Sequence, residues 1–267
     1  MLMRILAAAA TAGALMLAGG CAHAVGGTVD VRVTDRATGE TLPIYWHEGK
    51  WWVPGKPGRR YAVALTNRAG GRVLAVVSVD GVNVISGETA APDQTGYVLS
   101  SGQFAQITGW RKDMSRVAAF EFTALPNSYA ARTGRPDNVG VIGVAVFRER
   151  VRYVPPPALS KEHQSRNEAP SPAAPAAGAA SDAMGSAEAR RSERAQESRI
   201  GTGHGRSEHS VTSYTDFERA SSTPDEIITI HYDSRENLVA MGVIPAPRTA
   251  PNPFPAAAGF VPDPPRR

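Results

Sequence analysis

A period of two governs the first folded stretch of this chain. Val29, Val31 and Val33 alternate with Asp30, Arg32 and Thr34. Successive side chains of an extended strand point to opposite faces, so this spacing buries one face and wets the other. Tyr61, Val63 and Leu65 repeat the pattern, and residues 73–79 form a continuous apolar run suited to a strand buried on both faces. Asp80-Gly81 follows at once and residues 82–85 resume the β pattern. Asp-Gly between two such runs favours a two-residue turn with positive φ at both positions. Further strands are predicted over residues 42–46 and 50–53, as a tight hairpin around His47-Glu48-Gly49, and over 97–99, 104–107, 117–122 and 139–147. The reading is a mainly β chain: an antiparallel β-sandwich of about eight or nine short strands between residues 28 and 153.

The ends read differently. Met1-Leu2-Met3-Arg4 is a short basic start, residues 5–17 are rich in Ala, Leu and Met, and residues 18–24 are small. That is the pattern of an export signal over residues 1–24, too short to remain as a membrane span. Two processing routes overlap in it. Ala22-His23-Ala24 fits small-x-small cleavage, leaving a chain that starts at Val25, whereas residues 17–21 resemble a lipobox that would attach lipid to Cys21. Cys21 is the only cysteine. The folded part therefore has no disulfide, thiolate nucleophile or thiolate metal site. The expected location is the outer membrane as a lipoprotein, or the periplasm or exterior.

Composition narrows the partners. Net charge is +4, and removing Arg4 with the signal leaves 4 − 1 = +3. No basic stripe supports nucleic-acid binding. Residues 155–200 are rich in Pro, Ala and Ser, with six basic and six acidic side chains and almost no large apolar ones. Such a segment cannot offset its ordering entropy by burial, so it is read as a disordered linker between the sandwich (25–154) and a C-terminal piece (201–244). In that piece, residues 211–217 and 226–232 are predicted strands. Asp233 or Ser234 is predicted to cap a short helix over 236–241, closed by Gly242. About 45 residues are marginal alone, so this β-β-α piece is expected to dock on the sandwich, adding strands to an edge or covering an apolar face. Residues 245–267 read as a disordered Pro-rich tail.

Several residue groups are candidate sites. The aromatic cluster Tyr45, Trp46, Trp51 and Trp52 is the strongest of them, and Trp51 and Trp52, neighbours on one strand, cannot both face a single core. One of them is exposed, covered by another element, or part of a surface that stacks on a sugar or anchors a protein. Trp110 and Tyr129 are further aromatic contacts. Arg132 and Arg135, in a polar loop over 127–138, suit forked recognition of a carboxylate or phosphate; the alternative is that they pair with Asp137 and nearby carbonyls to hold the loop. Residues 201–206 (GTGHGR) lack the lysine and the strand-to-helix context of a phosphate loop and read as an entry into the fold. His204, His209 and His231 with Asp233 match no compact ligand spacing, the first two falling in predicted loop, so no metal is expected. Asp80, Glu88 and Asp93 could supply a carboxylate pair for polysaccharide hydrolysis, and since Asp80 serves its turn, the pair is Glu88 and Asp93. No nucleophile elbow, zinc-helix motif or nucleotide fingerprint is present.

Residues 59–88 (RRYAVALTNRAGGRVLAVVSVDGVNVISGE), 127–149 (NSYAARTGRPDNVGVIGVAVFRE) and 215–222 (TDFERASS) resemble a group of exported proteobacterial proteins of unknown function. The resemblance implies that the sandwich and the C-terminal piece belong together, and it implies no activity and no catalytic residue. The functional expectation is a non-enzymatic cell-envelope protein without a cofactor, holding an envelope protein or glycan and tethered to the membrane if Cys21 is lipidated. The alternative is a secreted hydrolase using Glu88 and Asp93.

Overall fold

A computed structural model describes residues 23–151 and 199–246. Cys21 and nearly all of the expected leader, linker and tail lie outside the described residues. In chain order the strands are β1 (Val29–Asp35), β2 (Tyr45–His47), β3 (Lys50–Gly55), β4 (Tyr61–Asn67), β5 (Val73–Val79), β6 (Val82–Asn83) and β7 (Tyr97–Leu99). They continue with β8 (Phe104–Ile107), β9 (Gly109–Arg111), β10 (Arg116–Ala124) and β11 (Val141–Arg148). After the linker come β12 (Ile200–His209) and β13 (Glu226–Ser234). Among the described residues there are two short α-helices, α1 (Tyr129–Arg132) and α2 (Arg235–Ala240).

The strands form one sheet in the order β2-β3-β13-β11-β5-β6, with β7 beside β5, and two three-stranded sheets, β1-β4-β8 and β12-β10-β9. A bridge between Arg60 and Glu121 joins the two smaller sheets. The alternation read from sequence is what the layers bury. Val29, Val31 and Val33, Tyr61, Val63 and Leu65, and Ile228, Ile230 and Tyr232 all enter one core cluster. Each fully buried aliphatic side chain of this kind stabilises the fold by about 1.5–3 kcal/mol. Asp80 and Gly81 take φ values of 54° and 72°, the turn with two positive φ angles that their sequence demands. Glu48 (47°) and Gly49 (77°) close the β2–β3 hairpin in the same way.

The mainly β sandwich stands as read, and the C-terminal piece is woven through it. Strand β12 adds to the edge of β10, whereas β13 lies inside the large sheet, antiparallel to β11 and parallel to β3. Ser234 caps α2, its hydroxyl accepting from the Asn237 N–H, and Gly242 closes the following turn at φ 77°. Two local readings are corrected. Residues 211–217 form no strand; residues 200–209, including the glycine-rich 201–206, form one instead. The reason is steric. The β10 ladder shifts register between Ala118 and Phe120, and a Cβ on Gly205 would lie 2.7 Å from the Ala119 carbonyl oxygen. Glycine is what lets β12 approach this bulge. His204 and His209 consequently sit on a strand, not in a loop.

One buried polar network ties these pieces together. Asp80 is fully buried, and its carboxylate accepts from Tyr232 Oη (2.5 Å), Gly140 N (2.9 Å) and Thr202 N (2.7 Å). Thr202 Oγ1 lies 2.6 Å from both Tyr232 Oη and Tyr61 Oη. Because Tyr232 spends its proton on Asp80, Thr202 donates to Tyr232 and Tyr61 donates to Thr202, so every hydroxyl is satisfied. The network thus binds β4, the β5–β6 turn, β12 and β13 to one carboxylate.

Burial raises the Asp80 pKa from 3.8 to about 6, against the lowering effect of its hydrogen bonds. The folded protein therefore holds this proton more tightly than the unfolded chain does. The resulting stabilisation is fully present below about pH 4 and is lost as pH rises through 6, on the order of 3 kcal/mol in all. Asn at position 80 would set an amide N–H against one of the donors, at a cost of about 1–3 kcal/mol. Urea unfolding of the wild type and Asp80→Asn at several pH values between 4 and 7 checks this. The stability difference should shrink as pH rises, and parallel profiles would contradict it.

Candidate functional site

A concavity lies where the layers part. It is a groove of about 670 Å³ between β7 on one side and β8–β9 on the other, floored by Ile85, Leu99 and Ile107 and overhung by residues 210–215. Among the described residues both flanking strands are sheet edges, since β7 pairs only with β5 and β8 only with β4. Asn67 N donates to Gln103 O. Given the β4–β8 register, this makes Ala105 and Ile107 the residues bonded to β4 and turns the main-chain groups of Phe104 and Gln106 away from it. A bare edge of this kind can accept another strand.

Residues 210–215 are strapped across the groove by Arg111. Its guanidinium donates to Tyr97 Oη (3.4 and 3.3 Å), to Ser210 Oγ (3.2 Å) and to the Ser210 carbonyl. Ser210 and Thr212 add main-chain bonds to Ser115 and Met114. Further along, Phe217 packs on the outer-face cluster of Leu74, Val76, Ala145 and Phe147, and Arg219 stacks 4.1 Å from the Phe147 ring. Between these anchors Tyr214 is 88% exposed. On the groove rim, Lys112 is an exposed ammonium.

The aromatic candidates separate into two places. Trp51 packs against the core and Trp52 points to the opposite face. There Leu238, Val243 and Ile244, from α2 and the turn after it, cover Trp52 together with Tyr45. The exposed indole of this hairpin is Trp46, 56% exposed and 4.6 Å from Trp51. Its place on an edge strand beside a tight turn accounts for that exposure. The His231 ring stands 4.9 Å from Trp52, and both line a second cavity of about 350 Å³ with Arg199, Asp233, Asn237 and Met241. Burial, with Lys50 and Arg199 nearby, lowers the His231 pKa and keeps the imidazole neutral at neutral pH.

Trp110, Tyr129 and Arg135 do come together. Trp110 and Tyr129 rings are 4.9 Å apart, Arg135 lies over Tyr129, and exposed His204 stands 5.4 Å from Tyr129. As a contact residue, however, Trp110 is corrected: it is only 3% exposed and belongs to the core. Arg135 holds its loop through Thr133 Oγ1 (3.0 Å) and the Gly87 carbonyl (3.1 Å), not through Asp137. Arg132 is exposed at the end of α1. Glu88 and Asp93 are both exposed, and neither lines either of these two cavities. Among the described residues, no cluster of three or more metal-ligating side chains forms, and no helix is long and apolar enough to cross a membrane. Comparison with protein families, with curated proteins and with solved structures finds no match.

Arg111→Ala should free the strap without opening the core. Amide exchange at Ser210 and Thr212 is expected to accelerate at least about tenfold, equivalent to ~1.4 kcal/mol of local stability. Unchanged exchange would mean that the contacts of Phe217 and Arg219 hold the strap without Arg111.

Proposed function

We propose that this chain is a non-enzymatic binding module of the bacterial cell envelope, which holds an extended stretch of a partner polypeptide along its bare strand edges. The observation that carries the reading is the groove of about 670 Å³ with β7 and β8 each paired, among the described residues, on one side only. Main-chain groups of Phe104 and Gln106 supply the hydrogen bonds that an added strand needs, and Ile85, Ala105, Ile107 and Met114 supply apolar contacts. Lys112 on the rim favours a segment carrying an acidic side chain. The envelope location rests on the leader-like residues 1–24, and a lipid on Cys21 would tether the module to the membrane.

Selection of phage-displayed random peptides on the wild-type protein tests the groove. Selected peptides should bind with micromolar affinity, about −8 kcal/mol, and lose at least about tenfold on Gln106→Pro. That variant deletes an N–H directed away from β4, so the ladder within the sandwich stays whole. Peptides that bind Gln106→Pro as tightly as wild type would sink the reading. The anchor has its own test. Metabolic labelling with a palmitate analogue should mark the wild type and not Cys21→Ser, whereas an unlabelled chain beginning at Val25 would establish cleavage instead.

A further inference from the structure

The cavity of about 350 Å³ on the outer face of the large sheet has a lining unlike that of the groove. Trp52 and His231 are cross-strand neighbours on parallel β3 and β13, so their rings rise side by side from one face, centroids 4.9 Å apart and tilted by 35°. They touch each other, which leaves no slot between them for a flat aromatic ligand and makes them adjoining parts of one apolar wall. Around that wall stand Arg199, Asp233 and Asn237.

These polar groups are held in place. Asp233 Oδ1 accepts from Ser234 N (2.7 Å) and from Asn237 Nδ2 (2.9 Å). Arg199 Nη2 donates to the Val139 carbonyl (2.5 Å). Among the described residues that is the only hydrogen bond of its side chain. The Arg199 cation and the Asp233 carboxylate balance, and His231 is neutral, so the lining carries no net charge to repel or demand an ion.

From this arrangement we infer that the cavity is a binding site for a neutral saccharide unit. A pyranose ring has one apolar C–H face and a rim of hydroxyls that both donate and accept. The indole of Trp52 suits the face, and the guanidinium and carboxylate suit the rim. The volume accommodates one or two sugar rings, within the range of small-ligand cavities of about 300–1,000 Å³. The site shares no lining residue with the groove between β7 and β8, so its ligand is independent of any polypeptide held there.

Titration of the full chain with a panel of neutral disaccharides (chitobiose, cellobiose, maltose) and one uronate-containing disaccharide tests this, read by tryptophan fluorescence and by the His231 ring resonances. At least one neutral disaccharide should bind with a Kd of roughly 1 mM or tighter and shift the His231 signals. Trp52→Ala and Arg199→Ala should each weaken it at least about tenfold, while Gln106→Pro leaves it unchanged. Should Trp52→Ala fail to fold, Arg199→Ala decides alone, because that side chain lies at the cavity rim and outside the core cluster. Preference for the uronate sugar, no binding by any member of the panel, or equal binding by wild type and Arg199→Ala would each overturn the assignment.

Discussion

A single carboxylate without solvent contact organises this sandwich. Asp80 sits at a turn that needs an unusual backbone conformation, and it receives donors from the loop before β11, from β12 and from β13. An ion in such a place is costly unless its hydrogen bonds are complete. Completeness here depends on the strands that follow the linker, since Thr202 and Tyr232 both lie beyond residue 199. The turn between two early strands is therefore finished by the last ones, which makes the two parts of the chain one cooperative unit and not a domain with an appendage.

Much of the architecture was legible because side-chain alternation and turn chemistry are local. Val29 to Val33, Tyr61 to Leu65, the Asp80-Gly81 turn and the Ser234 cap each announced themselves within a few residues. The misreadings have non-local causes. Residues 201–206 look like loop because three of the six are glycine, yet glycine is what the bulged β10 requires of its partner. Residues 211–217 alternate like a strand but join no ladder, because Arg111 and Phe217 pin them across the groove and over the outer cluster. Neither fact can be read from the segment itself.

The candidate surfaces were legible to a smaller degree. Adjacent tryptophans had to face opposite ways, and they do. Which indole would be covered depended on where α2 packs, and that depends on β13 entering the sheet beside β3. The pairing of Trp52 with His231 spans 179 residues of sequence (231 − 52) and had no local signature. Trp110 shows the reverse case: an aromatic flanked by arginine reads as surface, but β9 turns its indole inward against Phe120.

The position of β13 has a consequence for how the chain matures. Until residue 234 has emerged, β3 and β11 face each other across a missing strand, each with a row of unanswered amides and carbonyls. Synthesis from the amino terminus thus exposes a sheet with a gap at its centre for as long as the intervening stretch takes to follow. Closure over so long a loop is intrinsically slow. The interval leaves a vacant slot shaped for one particular strand, open to an intruder from a neighbouring chain unless a holding factor guards it, and a severed C-terminal fragment supplied separately could fill it and complete the fold.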